Sequence, residues 1–395
     1  MRSPTFVELC AGLGGTRAGL GAAGWKCVFA LDNDHSVVAA HRVAFGDCHH
    51  GDVRELSVDA IPPHDLLVAG FPCQPFSSSG LRTGFSHEKG NVLQAIARIC
   101  TSHQPKAILL ENVRGLLSNA YGHTFASALR ALTDLGYAVT WGVLDAVWFG
   151  ATQTRPRVFI LGTRSTHCGT VGESPDTAGE LVCEVMNQCL APSGQPRPID
   201  LELVISERRP RVGLKRPVPQ TPFGVHGVAV GERCWTWDRA TPLIKESGLA
   251  LGDIVCPKFV SRDMVRSVRY WGHSGITMPY FKKEALAHCL GTNIGAGPTF
   301  GVEKALVAKA AAKDALLEYA NWTREERNHL IFRIVPTRAA LLFGPLVEPL
   351  QKAMKAQLTG VTKHYEMLGN LVTPEIARRL GVGLRKHLLR KGSEG

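Results

Sequence analysis

A series of short apolar runs, separated by glycine turns and amphipathic stretches, decides what the first 162 residues can become. Thr5-Phe-Val-Glu-Leu9 and residues 27–31, 66–69, 107–110, 137–144 and 158–161 have strand length, and their nearly continuous apolarity suits strands buried on both faces. Between them, apolar residues at helical spacing predict helices to about Ala23, over 35–45, over 90–99 and over about 124–135. Strand and helix in alternation predict an α/β fold with a mostly parallel sheet and helices on both faces. Such sheets keep their chemistry at the carboxyl ends of the strands.

The residues at those ends are informative. The run 66–69 stops at Gly70-Phe-Pro-Cys-Gln-Pro-Phe-Ser77, where Pro72 and Pro75 cannot continue a ladder, so Cys73 is presented just past a strand end. A free thiol is only a few per cent thiolate at neutral pH, and activating it takes a rigid loop and a nearby cation. Arg155 and Arg157, in Gln153-Thr-Arg-Pro-Arg157, precede the 158–161 run and would bring charge toward that loop. Glu111 closes the 107–110 run, where a carboxylate is costly unless paired, so it is either satisfied structurally or poised as an acid. The first run turns through Cys10-Ala-Gly-Leu-Gly-Gly15 into a helix, and Gly12, Gly14 and Gly15 let the backbone turn tightly beside a ligand. Asp32 ends the next run about twenty residues later, where an acid can accept hydrogen bonds from ribose hydroxyls. Asp52, in Gly51-Asp-Val53, could meet an adenine amino group at the following strand end, whereas Asp34 reads as a helix cap.

Beyond Arg164 the alternation is lost. Pro clusters appear at 192–222, and Lys and Arg gather without long apolar runs, so residues 165–333 are expected to form a second domain. The first domain is expected to comprise 1–164 and 334–390, its C-terminal helix (from Glu375 to about Leu389) returning to it after the Gly369-Asn370 turn. Residues 302–319 read as a helix by propensity. Arg262, Arg266 and Arg269 stand beside Tyr270 and Trp271, offering phosphate contacts next to stacking surfaces, and Arg208 to Arg216 form a second basic stretch. A net charge of +11 fits a polyanionic partner. No segment is apolar enough to cross a membrane, the start lacks a signal peptide's apolar stretch, and the 11 cysteines show no repeated metal-ligand spacing.

In order and spacing these motifs resemble the cytosine-5 DNA methyltransferases. Cys10-Ala-Gly-Leu-Gly-Gly15, Asp32, Gly51-Asp-Val53, the Pro-Cys-Gln element, Glu111-Asn-Val113, Gln153-x-Arg-x-Arg157 and Gly369-Asn-x-Val372 carry the resemblance, which covers residues 5–164 and 363–388. It implies a Rossmann-like catalytic domain, a target-recognition domain at 165–333, and transfer of a methyl group from S-adenosylmethionine to C5 of a flipped-out cytosine in duplex DNA. Cys73 would be the nucleophile at C6, with Glu111, Arg157 and its neighbour Arg155 completing the catalytic set. The cofactor would be held by Leu9, Cys10, Gly12, Leu13, Gly14 and Gly15 of the first turn, by Asp32, Asn33, Asp52 and Val53, and by Pro72, Leu93, Asn370 and Val372. Arg262, Arg266 and Arg269 would bind DNA.

The resemblance further implies a monomer without metal that acts on double-stranded DNA, with a cognate restriction endonuclease as a partner in a restriction-modification setting. Its location would be cytoplasmic, with the nucleoid, in a bacterium, or nuclear in a eukaryote. Two departures stand out: the family carries an aromatic residue where this chain has Cys10, and Arg338 is followed by Ala339 and Ala340 where a Glu is expected. An RNA enzyme of the tRNA-directed branch would share the core but carry a Cys-Phe-Thr element absent here. A catalytically silent, cofactor-binding homologue would have lost one of the Cys, Glu or Arg residues that this chain keeps.

Overall fold

The computed structural model describes residues 2–71, 92–164, 180–206, 222–248, 280–281, 299–302, 331–333, 340–356, 358–359 and 361–391. In chain order come β1 (Thr5–Leu9), α1 (Gly15–Ala22), β2 (Lys26–Asp32), α2 (His35–Phe45), β3 (His49–His50), β4 (Leu66–Gly70), α3 (Val92–His103), β5 (Ala107–Val113), α4 (His123–Asp134), β6 (Tyr137–Asp145) and β7 (Pro156–Arg164). They are followed by α5 (Glu180–Asn187), β8 (Leu190–Ser193), β9 (Arg197–Ile199), α6 (Leu201–Ser206), β10 (His226–Val230), β11 (Arg233–Trp237) and β12 (Arg239–Pro242). The remaining described elements are β13 (Tyr280–Phe281), β14 (Thr299–Val302), β15 (Ile331–Arg333), α7 (Glu348–Lys355), α8 (Val361–Gly369) and α9 (Pro374–Lys391).

A ten-stranded sheet in the order β3-β2-β1-β4-β5-β7-β6-β10-β11-β9 is the frame. Its first five strands run parallel, as the alternation of apolar runs and helices requires. β7 then lies antiparallel between β5 and β6, and β10, β11 and β9 extend the antiparallel half. Strands β5 and β7 are longer than the apolar runs suggest, so Glu111 and Arg157 lie within the ladder rather than beyond it.

Residues 197–199 and 226–237, read from sequence as part of the second domain, therefore belong to the central sheet. Two glycines allow this. Gly231, with φ +59°, makes the tight turn between β10 and β11, and Gly227 lies opposite Trp141, where a Cβ would come within 2.0 Å of the indole. The helix expected over 302–319 begins differently, since Val302 pairs with Phe281 at the end of β14, where a β-branched residue suits a strand. Residues 303–319 lie outside the described residues.

Side chains alternate across the strands into two cores. Val7, Leu67 and Ile108 face Ile96 and Leu129 of α3 and α4, whereas Phe6, Leu66 and Leu109 face Leu20, Ile376 and Leu380 of α1 and α9. A third cluster joins Leu13 and Val37 to Phe343, Leu350, Leu368 and Leu371, and so seats the C-terminal helices over the first glycine turn. No helix among the described residues is long and apolar enough to cross a membrane.

Candidate active site

The glycine turn after β1 is built by left-handed backbone. Cys10, Gly12 and Gly14 have φ of 52°, 55° and 88°. Around it the packing is dense, because a Cβ at Gly14 would lie 2.3 Å from the Phe45 ring and one at Gly15 would lie 2.0 Å from the Val372 carbonyl oxygen. Gly12 is different: a Cβ there would meet nothing within 4 Å, so this side of the turn is open for a ligand to approach. Neutral His41, its pKa pushed down to about 4 by burial, accepts from Arg17 at Nε2 and so donates Nδ1–H to the Gly12 carbonyl at 3.0 Å.

Asp32 organises the same turn. Its Oδ2 accepts from the Gly12 N–H at 2.9 Å and its Oδ1 from the Asp34 N–H at 3.0 Å. Burial raises its pKa, and the backbone N–H groups of Asp34, Gly12 and Asn33 oppose that shift. Asp34 caps α2 through the N–H groups of Ser36 and Val37, as its position predicts, and also receives the Lys363 ammonium at 2.6 Å. Asp52 is held by Arg54, whose Nε donates to both carboxylate oxygens at 2.9 Å and keeps the acid well ionised. Exposed Asn33 presents its carbonyl to His50 at 3.1 Å.

Several expected cofactor residues have buried side chains. Leu9, Val53 and Leu93 belong to the core beneath the sheet edge and Leu13 to the C-terminal cluster, so Leu9 and Leu13 offer a ligand mainly their backbone. Cys10 is likewise packed, and burial pushes its thiol up to about 12. The thiols of Cys27, Cys48, Cys100 and Cys189 are pushed to about 12 for the same reason, so none of these is poised as a nucleophile. Cys73 and Pro72 lie outside the described residues, as do Arg262, Arg266 and Arg269.

The strand end that leads to Cys73 is nevertheless visible. Gly70 pairs with Glu111, and a Cβ at Gly70 would lie 3.6 Å from both Glu111 Oε2 and Val372 Cγ2, so β4, β5 and the C-terminal turn converge there. Glu111 Oε1 lies 3.3 Å from Arg157 Nε, with both side chains largely buried. Burial raises the Glu111 pKa, while the positive charges of Arg157 and Arg155 pull it back. The result is a carboxyl group whose proton is held more tightly than usual beside a cation.

Arg155 occupies a different place from Arg157. Only 1% exposed, it donates from one Nη to the carbonyls of Gly369 and Leu371, each at 2.8 Å, while its backbone N–H donates to Asp145 at 2.7 Å. Asn112 is a residue whose part the sequence does not reveal. Its amide donates to the Phe71 carbonyl at 2.8 Å and so fixes the last described residue before the Pro-Cys-Gln element. Its membership in Glu-Asn-Val is the only signal that could have singled it out. Among the described residues no His, Cys, Asp and Glu cluster could hold a metal ion.

Residues 4–178 match the family model of the C-5 cytosine-specific DNA methylases. The Type II methyltransferase M.BsuFI of Bacillus subtilis is 45% identical over 158 residues, covering 40% of this chain and 39% of that protein. M.DsaV of Dactylococcopsis salina is 43% identical over 157 residues, covering 40% and 45%. The matched stretch thus spans less than half the length of these relatives. The solved structure of S. pombe Dnmt2 methyltransferase is similar over 98% of this chain and 99% of its own, with a TM-score of 0.55 and 16% identity, a likeness of fold alone. A putative DNA modification methyltransferase from an E. coli prophage gives a TM-score of 0.53 at 16% identity over 98% and 100%.

Proposed function

We propose, from the match of residues 4–178 to the model of the C-5 cytosine-specific DNA methylases, that this chain transfers a methyl group to C5 of cytosine in duplex DNA. The observation that carries the reading is the Glu111–Arg157 pair, set beside the strand end that delivers Cys73. Cytosine C5 is a poor nucleophile, so the Cys73 thiolate adds at C6 and pushes electron density toward C5. Glu111, whose proton burial holds more tightly than in a free carboxyl group, donates toward ring N3 and stabilises the enamine. Arg157 orients Glu111 and keeps the site positive. After transfer the C5 proton is lost to a base and Cys73 leaves as thiolate. The target base is stacked inside a duplex, so it must be flipped out at a cost of a few kcal/mol.

The residues present fit S-adenosylmethionine. The open side of Gly12 leaves room beside the turn, and the Asp32 and Asp52 carboxylates flank it on neighbouring strand ends. This cofactor, when bound, supplies an electrophilic methyl group. Asn33, Asn370 and Val372 would complete its enclosure. The recognition of duplex DNA, and a pairing with a restriction endonuclease as in Type II systems, belong to the same proposal. So does the assignment of target recognition to residues 165–333, less the strands that join the central sheet.

Trapping tests it. A duplex with 5-fluorocytosine at target sites should form a covalent adduct, because fluorine cannot leave as a proton, and Cys73→Ser should abolish it. Glu111→Gln should slow methyl transfer by about 100-fold or more while leaving the protein folded. An adduct of equal yield with Cys73→Ser, or none with wild type on duplex but one on tRNA, would sink the proposal.

A further inference from the structure

We infer that Arg155 is a positioning residue: it clamps the Gly369–Leu371 turn against the start of β7 and thereby sets cofactor affinity through Asn370, without touching the reacting base. This rests on the methyltransferase reading above and assigns within it a division of labour between two arginines two residues apart.

The division follows from what each guanidinium already holds. Arg157 has about a seventh of its side chain exposed and faces Glu111, so it borders the chemistry. Arg155 is sealed off, with its guanidinium carbon 5.3 Å from the centroid of the Phe343 ring. Its two carbonyl partners flank Asn370, so both neighbours of that residue are fixed while the Asn370 side chain stays exposed. The Asn370 N–H closes the end of α8 onto Glu366 at 3.0 Å, and Lys363 ties the same helix to Asp34. Val372 continues the turn into contact with Gly15. The turn is therefore gripped from the start of β7 by Arg155 and from the far side by Gly15 and, through Lys363 of α8, by Asp34.

Lysine at 155 keeps the charge but ends one bond short of the Nη that serves both carbonyls, and it has no planar group to lie over the Phe343 ring. The prediction is a split between binding and chemistry. In calorimetric titration with S-adenosylhomocysteine and no DNA, Arg155→Lys should weaken binding about tenfold or more, as loss of a charged hydrogen bond implies. Arg157→Lys should leave that affinity within about twofold. In methylation assays Arg155→Lys should raise KM for S-adenosylmethionine and keep kcat at saturation within about threefold, whereas Arg157→Lys should lose kcat. Unchanged affinity with a lost kcat in Arg155→Lys overturns the clamp. Should circular dichroism show that Arg155→Lys does not fold, Phe343→Leu takes its place. That variant leaves the guanidinium and removes the ring beneath it, so affinity must fall in the same direction by a smaller factor, and no change overturns the inference. Duplex methylation is scored separately. Its absence in a wild type that binds S-adenosylhomocysteine overturns the functional proposal alone, whereas a wild type that does not bind overturns both.

Discussion

At the scale of the residue, Asp32 serves the fold before it serves any ligand. Position alone marks it, an acid at a strand end about twenty residues past a glycine turn, and that much is readable from sequence. What is not readable is that its two oxygens already take the N–H groups of Gly12 and Asp34. Asp32→Ala should therefore weaken S-adenosylhomocysteine binding by about 1.5–3 kcal/mol, and also lower stability by about 1–3 kcal/mol because two backbone donors lose their acceptor. Calorimetry and urea melts on one preparation would separate the two losses, and unchanged affinity in a folded variant would count against Asp32 as a cofactor residue. Glu8 gives no hint in sequence beyond sitting in a strand. It is 2% exposed, and burial raises its pKa from an ordinary 4.5 to about 8, only partly countered by Arg17 and Thr16. Between pH 4.5 and 8 the unfolded chain ionises Glu8 and the folded one keeps it protonated, so stability falls as pH rises through that window and levels off above it. Glu8→Gln should thus raise Tm over wild type by more at pH 8.5 than at pH 5. Thermal melts giving an equal difference at both values would refute the buried-acid account.

Elements were easier to read than residues where local rules agreed with the fold. The helix over 35–45 has its Asp34 cap at one end and Gly46, with φ +95°, at the other, and each signal is local. The α1 helix carries glycines at 15, 19 and 21 that no local rule explains, since each weakens a helix. Packing accounts for two of them. A Cβ at Gly19 would lie 2.1 Å from the Pro374 carbonyl oxygen and 2.8 Å from Ala377 Cβ, so α9 can approach α1 only along this glycine face. At Gly21 a Cβ would meet nothing within 4 Å. The two positions should respond with opposite signs: Gly21→Ala should stabilise by about 0.5–1 kcal/mol through helix propensity, and Gly19→Ala should destabilise by about 1–3 kcal/mol through overpacking. Urea midpoints of the two variants decide, and a stabilising Gly19→Ala would show that α9 is not held in this contact. Helix α8 is not legible from a local pattern in Val361–Gly369, and its docking on Leu13 and Val37 through Met367 and Leu368 is a property of tertiary packing.

The whole molecule divides by how far apart in sequence its partners lie. In the parallel half β1, β2, β4 and β5 follow from runs that declare themselves, whereas β9, β10 and β11 join the sheet through pairings such as Gly227 with Trp141, 86 residues apart, which no local pattern states. The central sheet consequently continues past Arg164 into β10, β11 and β9. On the proposed function, target recognition falls to the parts of 165–333 outside those strands, which hold the basic and aromatic residues 262–271 and the basic stretch 208–216. A pocket that encloses one extruded cytosine sees no neighbouring base, so sequence must be read by a separate surface. If the partner is duplex DNA as proposed, a net charge of +11 makes part of the binding energy nonspecific attraction to phosphate, and salt distinguishes the two. If Arg262, Arg266 or Arg269 contacts phosphate, its change to alanine should weaken binding to every duplex alike and flatten the salt dependence by about one unit of slope. If one of them contacts a base edge, its loss should relax the methylated sequence by roughly 1–3 kcal/mol of discrimination and leave the slope nearly unchanged. Binding isotherms at several salt concentrations, with bisulfite sequencing of a plasmid library methylated by each variant, read both quantities. Variants that keep wild-type site preference and wild-type slope at all three positions would remove this stretch from the interface and shift the search to Arg208, Arg209, Arg211, Lys215 and Arg216.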